Sequence, residues 1–301
     1  NETFNGNSPV EVDDLEVANN DNISFGWINL TRALKYSVNT VFAEMNYEYG
    51  SIATMDTLIR AGIPEDTLGL DDTVLNVLGF ASPHNIDLAR AYATLATGGE
   101  RLDIHMVDSV KNAHGSTIYQ SENTRERVFE VEDVSAIMPA LQAVVETGGT
   151  GEAVEELGIE AGGKTGTSEE QKSALFVGFT PQVTTAVSMY AVGADGSSLS
   201  LPNIGGTNQF HGSDWPVAMW VAYMEAAMKH LDPEATFDWL VDVKPTYTPA
   251  PAPSYTPTPT PTNTPEPAPE PEPTPEPTPE PTPEPTPEPT PEPETPDNNG
   301  G

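Results

Sequence analysis

The C-terminal stretch from Pro245 to Gly301 consists almost entirely of Pro, Thr and Glu, as in PTPEPTPEPTPEPT. Proline lacks a backbone N–H, and the stretch offers almost no apolar side chains to bury, so it cannot build a helix or a sheet. Such a composition favours an extended, polyproline-like spacer of roughly 3 Å per residue. The sequence therefore predicts a disordered tail at 245–301 and confines the folded domain to residues 1–244, enough for one hydrophobic core.

The folded part is itself strongly acidic. The chain has a formal net charge of -34, its last basic residue is Lys244, and the tail supplies only a minority of the 46 acidic side chains. Nucleic acids and anionic membrane surfaces would repel such a protein, so the charge argues against both as partners. No apolar run is long enough to cross a bilayer, and the N-terminus shows no signal pattern.

The residue types that build metal and redox sites are scarce. The chain contains no cysteine, and its five histidines, among them His84, His105 and His211, lack metal-ligand spacing. We therefore predict neither a metal site nor a cofactor. The chain begins with Asn1, which suggests a fragment or mature piece whose targeting segment lies upstream. A link to the membrane is expected only through such an upstream anchor.

Apolar periodicity predicts several helices. From Trp27 to Met45 apolar residues recur at helical spacing, which by itself predicts one helix that contains Ser37 and Asn39 and ends at Gly50. Further helices are predicted at MDTLIRAGIP, at DLARAYATLATGG, at DVSAIMPALQAVV with Ile137, Leu141, Val144 and Val145 facing inward, and at SDWPVAMWVAYMEAAMKH with Trp215 and Trp220 as core anchors.

Alternating apolar residues predict antiparallel strands between these helices. IHMVDSVKNAHGSTIYQ favours two strands around a turn at residues 112–115, and LFVGFTP with TTAVSMYAVG favours a hairpin about Pro181 and Gln182. The segment GGKTGT precedes this hairpin as a further strand. Helices before and after a late antiparallel sheet indicate the α+β class.

Two short motifs point to acyl transfer through a serine. Lys164-Thr165-Gly166, followed by Thr167, matches the K-T-G element of β-lactamases and penicillin-binding proteins, and Ser37-Val38-Asn39 matches the S-x-N element. In this chemistry a lysine takes the proton of the nucleophilic serine, and nearby cationic and hydroxyl groups keep that lysine neutral and relay the proton. A lone K-T-G string is weak evidence because it arises readily by chance.

The sequence closely resembles the transpeptidase domain of class A, bifunctional penicillin-binding proteins. The resemblance runs from about Asn1 to Lys229 and rests on FGWINLTRALKYSVNTVFAEM, SPHNIDLARAYATLATGGER, VVETGGTGEAV, GGKTGTSEEQKSALFVGFTP and GGTNQFHGSDWPVAMW. It implies the β-lactamase/transpeptidase-like fold, an antiparallel sheet flanked by helices. In that fold Ser37 and Asn39 would lie on a turn between two helices, contrary to the periodicity.

The resemblance also assigns roles to the matching residues. Ser37 would help to shuttle a proton to the leaving amine, Asn39 would bind the substrate amide, and Lys164 would supply positive charge. The side chains of Thr165 and Thr167, on either side of Gly166, would contact the carboxylate end of the substrate. The implied substrates are peptidoglycan stem peptides ending in D-Ala-D-Ala, with β-lactams as inhibitors. The implied location is the extracytoplasmic face of the membrane, in contact with the cell wall.

The nucleophile itself is missing, because no Ser in the chain is followed by Lys at the S-x-x-K spacing. In the family this serine precedes the S-x-N element by several tens of residues, and only residues 1–36 precede Ser37. We therefore expect the nucleophile upstream, along with a glycosyltransferase domain in the full-length parent. The chain by itself is expected to be inactive.

Other functions share part of this pattern. A β-lactamase or a D-Ala-D-Ala carboxypeptidase also has the K-T-G element, but the GGTNQFHGSDWPVAMW block and the long tail favour the transpeptidase. A non-catalytic wall-associated module is a further alternative, against which the intact KTGT and SVN motifs argue. An S-x-x-K in the DNA upstream of Asn1 would decide between the transpeptidase and the non-catalytic module.

The tail prediction can be tested by truncation. Deleting residues 245–301 should leave the thermal midpoint of the folded domain nearly unchanged, because the deleted residues bury no apolar surface. Thermal unfolding of the two forms, followed by circular dichroism, measures this. A drop of several degrees, or protected amides in the tail, would show that the tail packs on the domain.

Overall fold

The computed structural model describes residues 2–201 and 210–243, and the predicted disordered tail at 245–301 lies outside them. The helices are α1 (Leu30–Lys35), α2 (Asn39–Tyr49), α3 (Ser51–Ala61), α4 (Asn85–Ala96), α5 (Val131–Val145) and α6 (Trp215–Ala227). The strands are β1 (Phe4–Asn5), β2 (Val10–Val12), β3 (Leu15–Val17), β4 (Trp27–Ile28), β5 (Glu100–Leu102), β6 (Ser109–Lys111), β7 (Thr117–Gln120), β8 (Arg125–Arg127), β9 (Gly162–Thr167), β10 (Ser173–Phe179), β11 (Thr184–Val192) and β12 (Ser198–Leu199). This order confirms the α+β class.

The main sheet is antiparallel, with the strand order β12-β11-β10-β9. Its central hairpin pairs Phe176 with Val187 and closes through the bond from Thr180 N to Val183 O, 2.8 Å long, as the sequence predicts. Within the part of the chain that the structure describes, the K-T-G strand β9 lies at the edge of this sheet and pairs with β10, which places Lys164 opposite Val177. The edge position leaves one side of β9 available to other groups.

Helix α6 covers one part of this sheet through Trp220, which is fully buried. The ring packs edge-on against Phe176 at a centroid distance of 5.5 Å, and its Nε1 donates to the carbonyl of Gly178 at 3.2 Å. A Cβ at Gly178 would lie 2.6 Å from the Trp220 ring, so this position requires glycine. The prediction that Trp220 anchors the core is confirmed.

Two predicted core residues face solvent instead. Trp215, the first residue of α6, is 39% exposed, because it lies five positions before Trp220 and so on a different side of the helix. Ile137 on α5 is 45% exposed. Val134, Met138 and Leu141 are buried on the same helix, although Ile137 lies three positions after Val134 and four before Leu141, so helical spacing alone does not separate Ile137 from them.

The segment predicted as one helix from Trp27 is broken, so the periodicity prediction is wrong here. Helix α1 ends at Lys35, and α2 begins at Asn39. Ser37, between them, has a left-handed φ of +54°, which no residue inside an α-helix adopts. The turn between two helices implied by the family resemblance is therefore confirmed.

The short strands β6 and β7 form the hairpin predicted around residues 112–115. Near the N-terminus, β1 pairs with β4, and β2 pairs with β3. Val12 and Val17 of the latter hairpin are buried together with Ala43 of α2. These N-terminal residues thus support the helix that follows Ser37.

The two tryptophans of α6 give a matched test of this packing. Replacing buried Trp220 with Ala should lower the free energy of unfolding by about 3–5 kcal/mol, because it removes the ring from a filled core and leaves a cavity. Replacing Trp215 with Ala should cost about 1 kcal/mol or less. Urea unfolding of both variants measures the difference, and equal losses would contradict the assigned core.

Candidate active site

The turn that carries Ser37 is held by backbone bonds and by one buried side chain. Ser37 N donates to Leu34 O at 3.1 Å, and Val38 N donates to Ala33 O at 2.9 Å. Val38 is fully buried. A non-glycine residue in the left-handed region costs roughly 1–2 kcal/mol. Burial of the apolar Val38 side chain helps to offset this cost and anchors the turn.

The central contact of the site joins Ser37 to Lys164, residues that lie 127 positions apart in the chain. Lys164 Nζ donates to Ser37 Oγ at 2.8 Å and also to the carbonyl of Thr165 at 2.8 Å. The amine sits between the turn after α1 and the edge strand β9. The structure thus brings together the S-x-N and K-T-G elements that the sequence predicts to work as one site.

Burial lowers the pKa of Lys164 from 10.5 to about 8. The charged form is disfavoured because the surrounding protein solvates an ammonium less well than water does. A lysine with such a pKa still carries most of its charge at neutral pH, but it gives up a proton more readily than a surface lysine. This property suits a group that stabilises negative charge and takes part in a proton relay.

Asn39 is the first residue of α2, and its side chain is hydrogen-bonded to the N-terminal loop and not to Lys164. Its Nδ2 donates to the carbonyl of Ala18 at 3.0 Å. The next residue, Thr40, receives support from the same loop, because its N–H donates to Asn19 Oδ1 at 3.1 Å. The loop before β4 therefore fixes the start of α2 and with it the orientation of the Asn39 amide.

The two threonines of the K-T-G strand have different surroundings. Thr165 is buried, and its hydroxyl is 2.7 Å from that of Thr150. Thr167 is exposed, and its Oγ1 accepts a hydrogen bond from Gly212 N at 3.0 Å. Since Gly212 donates to its oxygen, Thr167 keeps its own proton free for donation to an anionic ligand.

Gly166 lies between these threonines at a point of close backbone approach. A Cβ at Gly212 would lie 2.4 Å from the carbonyl oxygens of both Gly166 and Leu175. Only glycine fits where this loop crosses the strand pair. Thr165, Gly166 and Thr167, the residues predicted to bind substrate, therefore lie in a row on β9, and the loop at Gly212 packs behind them.

Sequence reasoning missed two residues of this site, Thr150 and Gly212. Thr150 belongs to the VVETGGTGEAV block, which supports the family resemblance but assigns no role to this threonine. Gly212 belongs to the GGTNQFHGSDWPVAMW block, which supported the family resemblance but suggested no contact with Thr167. Their partners come from distant parts of the chain, so no local pattern could reveal them.

Within residues 2–201 and 210–243, no group of acidic and histidine side chains is arranged to hold a metal ion. In the same part of the chain, no helix has the length and hydropathy needed to cross a membrane.

The lowered pKa of Lys164 predicts how this residue affects stability. The folded protein binds the Lys164 proton less tightly than the unfolded chain, so burial of the ammonium costs free energy below pH 8. That cost falls as the pH rises from about 8 to 10.5. In Lys164→Met the cost is absent at every pH. The gain in unfolding free energy of this variant over the natural chain should therefore shrink above pH 8, by up to about 1.4 kcal/mol per pH unit.

Urea unfolding of both proteins between pH 7 and pH 10 measures this gain. Lys111→Met, which removes an exposed lysine from β6, serves as the matched control. A difference between Lys164→Met and the natural chain that stays constant over this range would contradict the buried state of the amine.

Several known proteins are similar to this chain in sequence and in fold. The family described as "Penicillin binding protein transpeptidase domain" matches residues 1–204. Penicillin-binding protein 1A of Mycobacterium tuberculosis is 28% identical over 242 residues, which cover 74% of this chain and 29% of that protein. Penicillin-binding protein 1A of Neisseria meningitidis is 29% identical over 217 residues, which cover 70% of this chain and 26% of that protein. The chain thus spans less than a third of the length of these relatives.

Solved structures agree with this assignment. The penicillin-binding protein PonA1 of Mycobacterium tuberculosis has a TM-score of 0.65 and 26% identity, covering 86% of this chain and 71% of that one. A complex of PonA1 with penicillin V has a TM-score of 0.63 at 26% identity, covering 78% and 65% of the two chains. Because the family match at residues 1–204 covers more than half of the chain, the chain belongs to the penicillin-binding protein transpeptidase domain family.

Proposed function

We propose that this chain forms the S-x-N and K-T-G side of a peptidoglycan D,D-transpeptidase site that works by serine acyl-enzyme chemistry. The observation that carries the proposal is the 2.8 Å bond between Lys164 Nζ and Ser37 Oγ. This bond joins the S-x-N and K-T-G motifs, each of which is weak evidence for the function when taken alone. The membership in the transpeptidase family and the penicillin V complex of the similar PonA1 support the same reading.

The reaction needs a serine nucleophile, which an S-x-x-K segment outside the present sequence would supply. Its hydroxyl would attack the D-Ala-D-Ala carbonyl of a stem peptide, or the ring amide of a β-lactam, and form an ester. In the peptide reaction the terminal D-Ala leaves as an amine and must receive a proton. We assign the transfer of that proton to Ser37, and the hydrogen bond that its oxygen accepts from Lys164 supports this role.

In this proposal the K-T-G strand β9 binds the substrate. The carboxylate at the end of the stem peptide would meet the charge of Lys164 and the hydroxyls that flank Gly166. Of these, Thr167 is exposed and has a free proton to donate, whereas Thr165 is buried against Thr150. The backbone N–H of Thr167 would donate to the oxyanion of the tetrahedral intermediate. Asn39 would orient the substrate amide.

The cellular setting is part of the proposal. Stem peptides occur in the cell wall, so the domain would work on the extracytoplasmic face of the membrane, joined to an upstream anchor and a glycosyltransferase domain. The Pro-, Thr- and Glu-rich tail would extend as a spacer in or across the wall. The partners would be peptidoglycan strands and β-lactams.

Acylation by a fluorescent penicillin tests the proposed function. In a protein that contains this chain behind an S-x-x-K segment, Lys164→Ala should slow acylation about tenfold to a hundredfold. The physical reason is the loss of a charge-assisted contact of roughly 1.5–3 kcal/mol. Lys111→Ala, on the exposed hairpin, should acylate at the unaltered rate and is the matched control.

The same reagent distinguishes the alternatives. Residues 1–301 alone should form no denaturation-resistant adduct, because they contain no S-x-x-K serine. A stoichiometric adduct on this chain would show that another serine is the nucleophile. Unchanged acylation in Lys164→Ala of the longer protein would remove Lys164 from the reaction.

A further inference from the structure

We propose that residues 146–151, the turn that directly follows α5, act as a clamp that holds Ser37 against Lys164. In this clamp Lys35 and Thr150 are positioning residues. They act through the two partners of the central contact and need not touch the substrate. The consequence for catalysis rests on the proposed function, whereas the consequence for the geometry of Lys164 does not.

One arm of the clamp reaches α1. Lys35 Nζ donates to the carbonyl of Thr147 at 2.7 Å. Lys35 is the last residue of α1 and stands two positions before Ser37. The left-handed turn at Ser37 is short, so a shift at the end of α1 moves the serine hydroxyl with it.

The other arm reaches β9. The hydroxyls of Thr150 and Thr165 lie 2.7 Å apart, and both side chains are at least partly buried. Thr165 follows Lys164 directly, and Lys164 Nζ donates to the Thr165 carbonyl. Among the described residues, β9 is an edge strand with β10 as its strand partner. The bond to Thr150 therefore restrains the strand at the residue next to the lysine.

The turn itself is rigid enough to connect the two arms. Gly151 N donates to Val144 O at 2.8 Å, and Gly148 N donates to Glu152 Oε2 at 2.8 Å. Thr147 Oγ1 also donates to Glu155. A Cβ at Gly149 would lie 2.2 Å from the Val144 carbonyl, so the turn packs directly on the end of α5. A displacement at either arm is therefore not absorbed within the turn.

The clamp predicts how Lys164 titrates when either arm is removed. In Thr150→Val, which keeps the shape but loses the hydroxyl, and in Lys35→Met, the strand and the serine turn separate. Water then reaches the Lys164 amine. Its pKa should rise from about 8 toward 10.5. In Thr150→Ser, which restores the hydroxyl, and in Lys111→Met, it should stay at the lower value. Lysine ¹³C resonances of the chain, followed between pH 6 and pH 11, measure this.

Acylation of a longer protein with an S-x-x-K segment provides the second readout. Thr150→Val and Lys35→Met should slow fluorescent-penicillin acylation about tenfold, and Thr150→Ser should retain most of the rate. A Lys164 titration that is the same in Lys35→Met, Thr150→Val and the natural chain would overturn the clamp. If the natural longer protein is not acylated at all, the proposed function fails, and the titration still decides for or against the clamp. Lys35 is only partly buried, so Lys35→Met keeps the test available if Thr150→Val does not fold.

Discussion

The hydrogen bond from Lys164 to Ser37 links the helical N-terminal part of the domain to the edge of its sheet. Burying a lysine amine is costly, and the cost is tolerable only where its protons find good acceptors. Here the acceptors are a hydroxyl on a strained turn and a carbonyl of the lysine's own strand. The left-handed Ser37 and the lowered pKa of Lys164 are thus two parts of one arrangement. The left-handed backbone and the burial of the ammonium each cost free energy of folding, and packing elsewhere in the domain must offset these costs.

Sequence periodicity predicted the long, regular elements well. The β10–β11 hairpin, the α+β class, and α6 with buried Trp220 follow from alternation and helical spacing. It failed where a regular pattern continued through an irregular backbone. Leu34, Val38 and Val41 have the spacing of one helical stripe, yet Val38 lies in the turn before α2 and is still buried. The apolar spacing therefore continues across the helix break, and periodicity cannot detect the break. Only the resemblance to a family indicated that break.

Some residues of the site could likewise be predicted from the sequence, and others could not. Motif spacing singled out Ser37 and Lys164, and the structure brings them into contact. The residues that support them were not predictable, because they contribute through tertiary neighbours. Thr150 is one threonine in a glycine-rich turn, and Gly212 donates through its backbone, which leaves no side-chain signature. Supporting residues of this kind become visible only when the strand they brace is placed beside them.

The conformation of Ser37 restricts which residues evolution or a protein engineer can place there. Threonine would preserve the hydroxyl, but its branched Cβ is strongly disfavoured at a φ of +54°. Glycine, asparagine and aspartate tolerate this backbone, but each of them removes the hydroxyl that accepts from Lys164. The chemistry and the backbone therefore exclude different substitutes, and serine is the residue that satisfies both. A change at this position would therefore need a second change in the turn, one that relieves the left-handed backbone or supplies another hydroxyl to accept from Lys164.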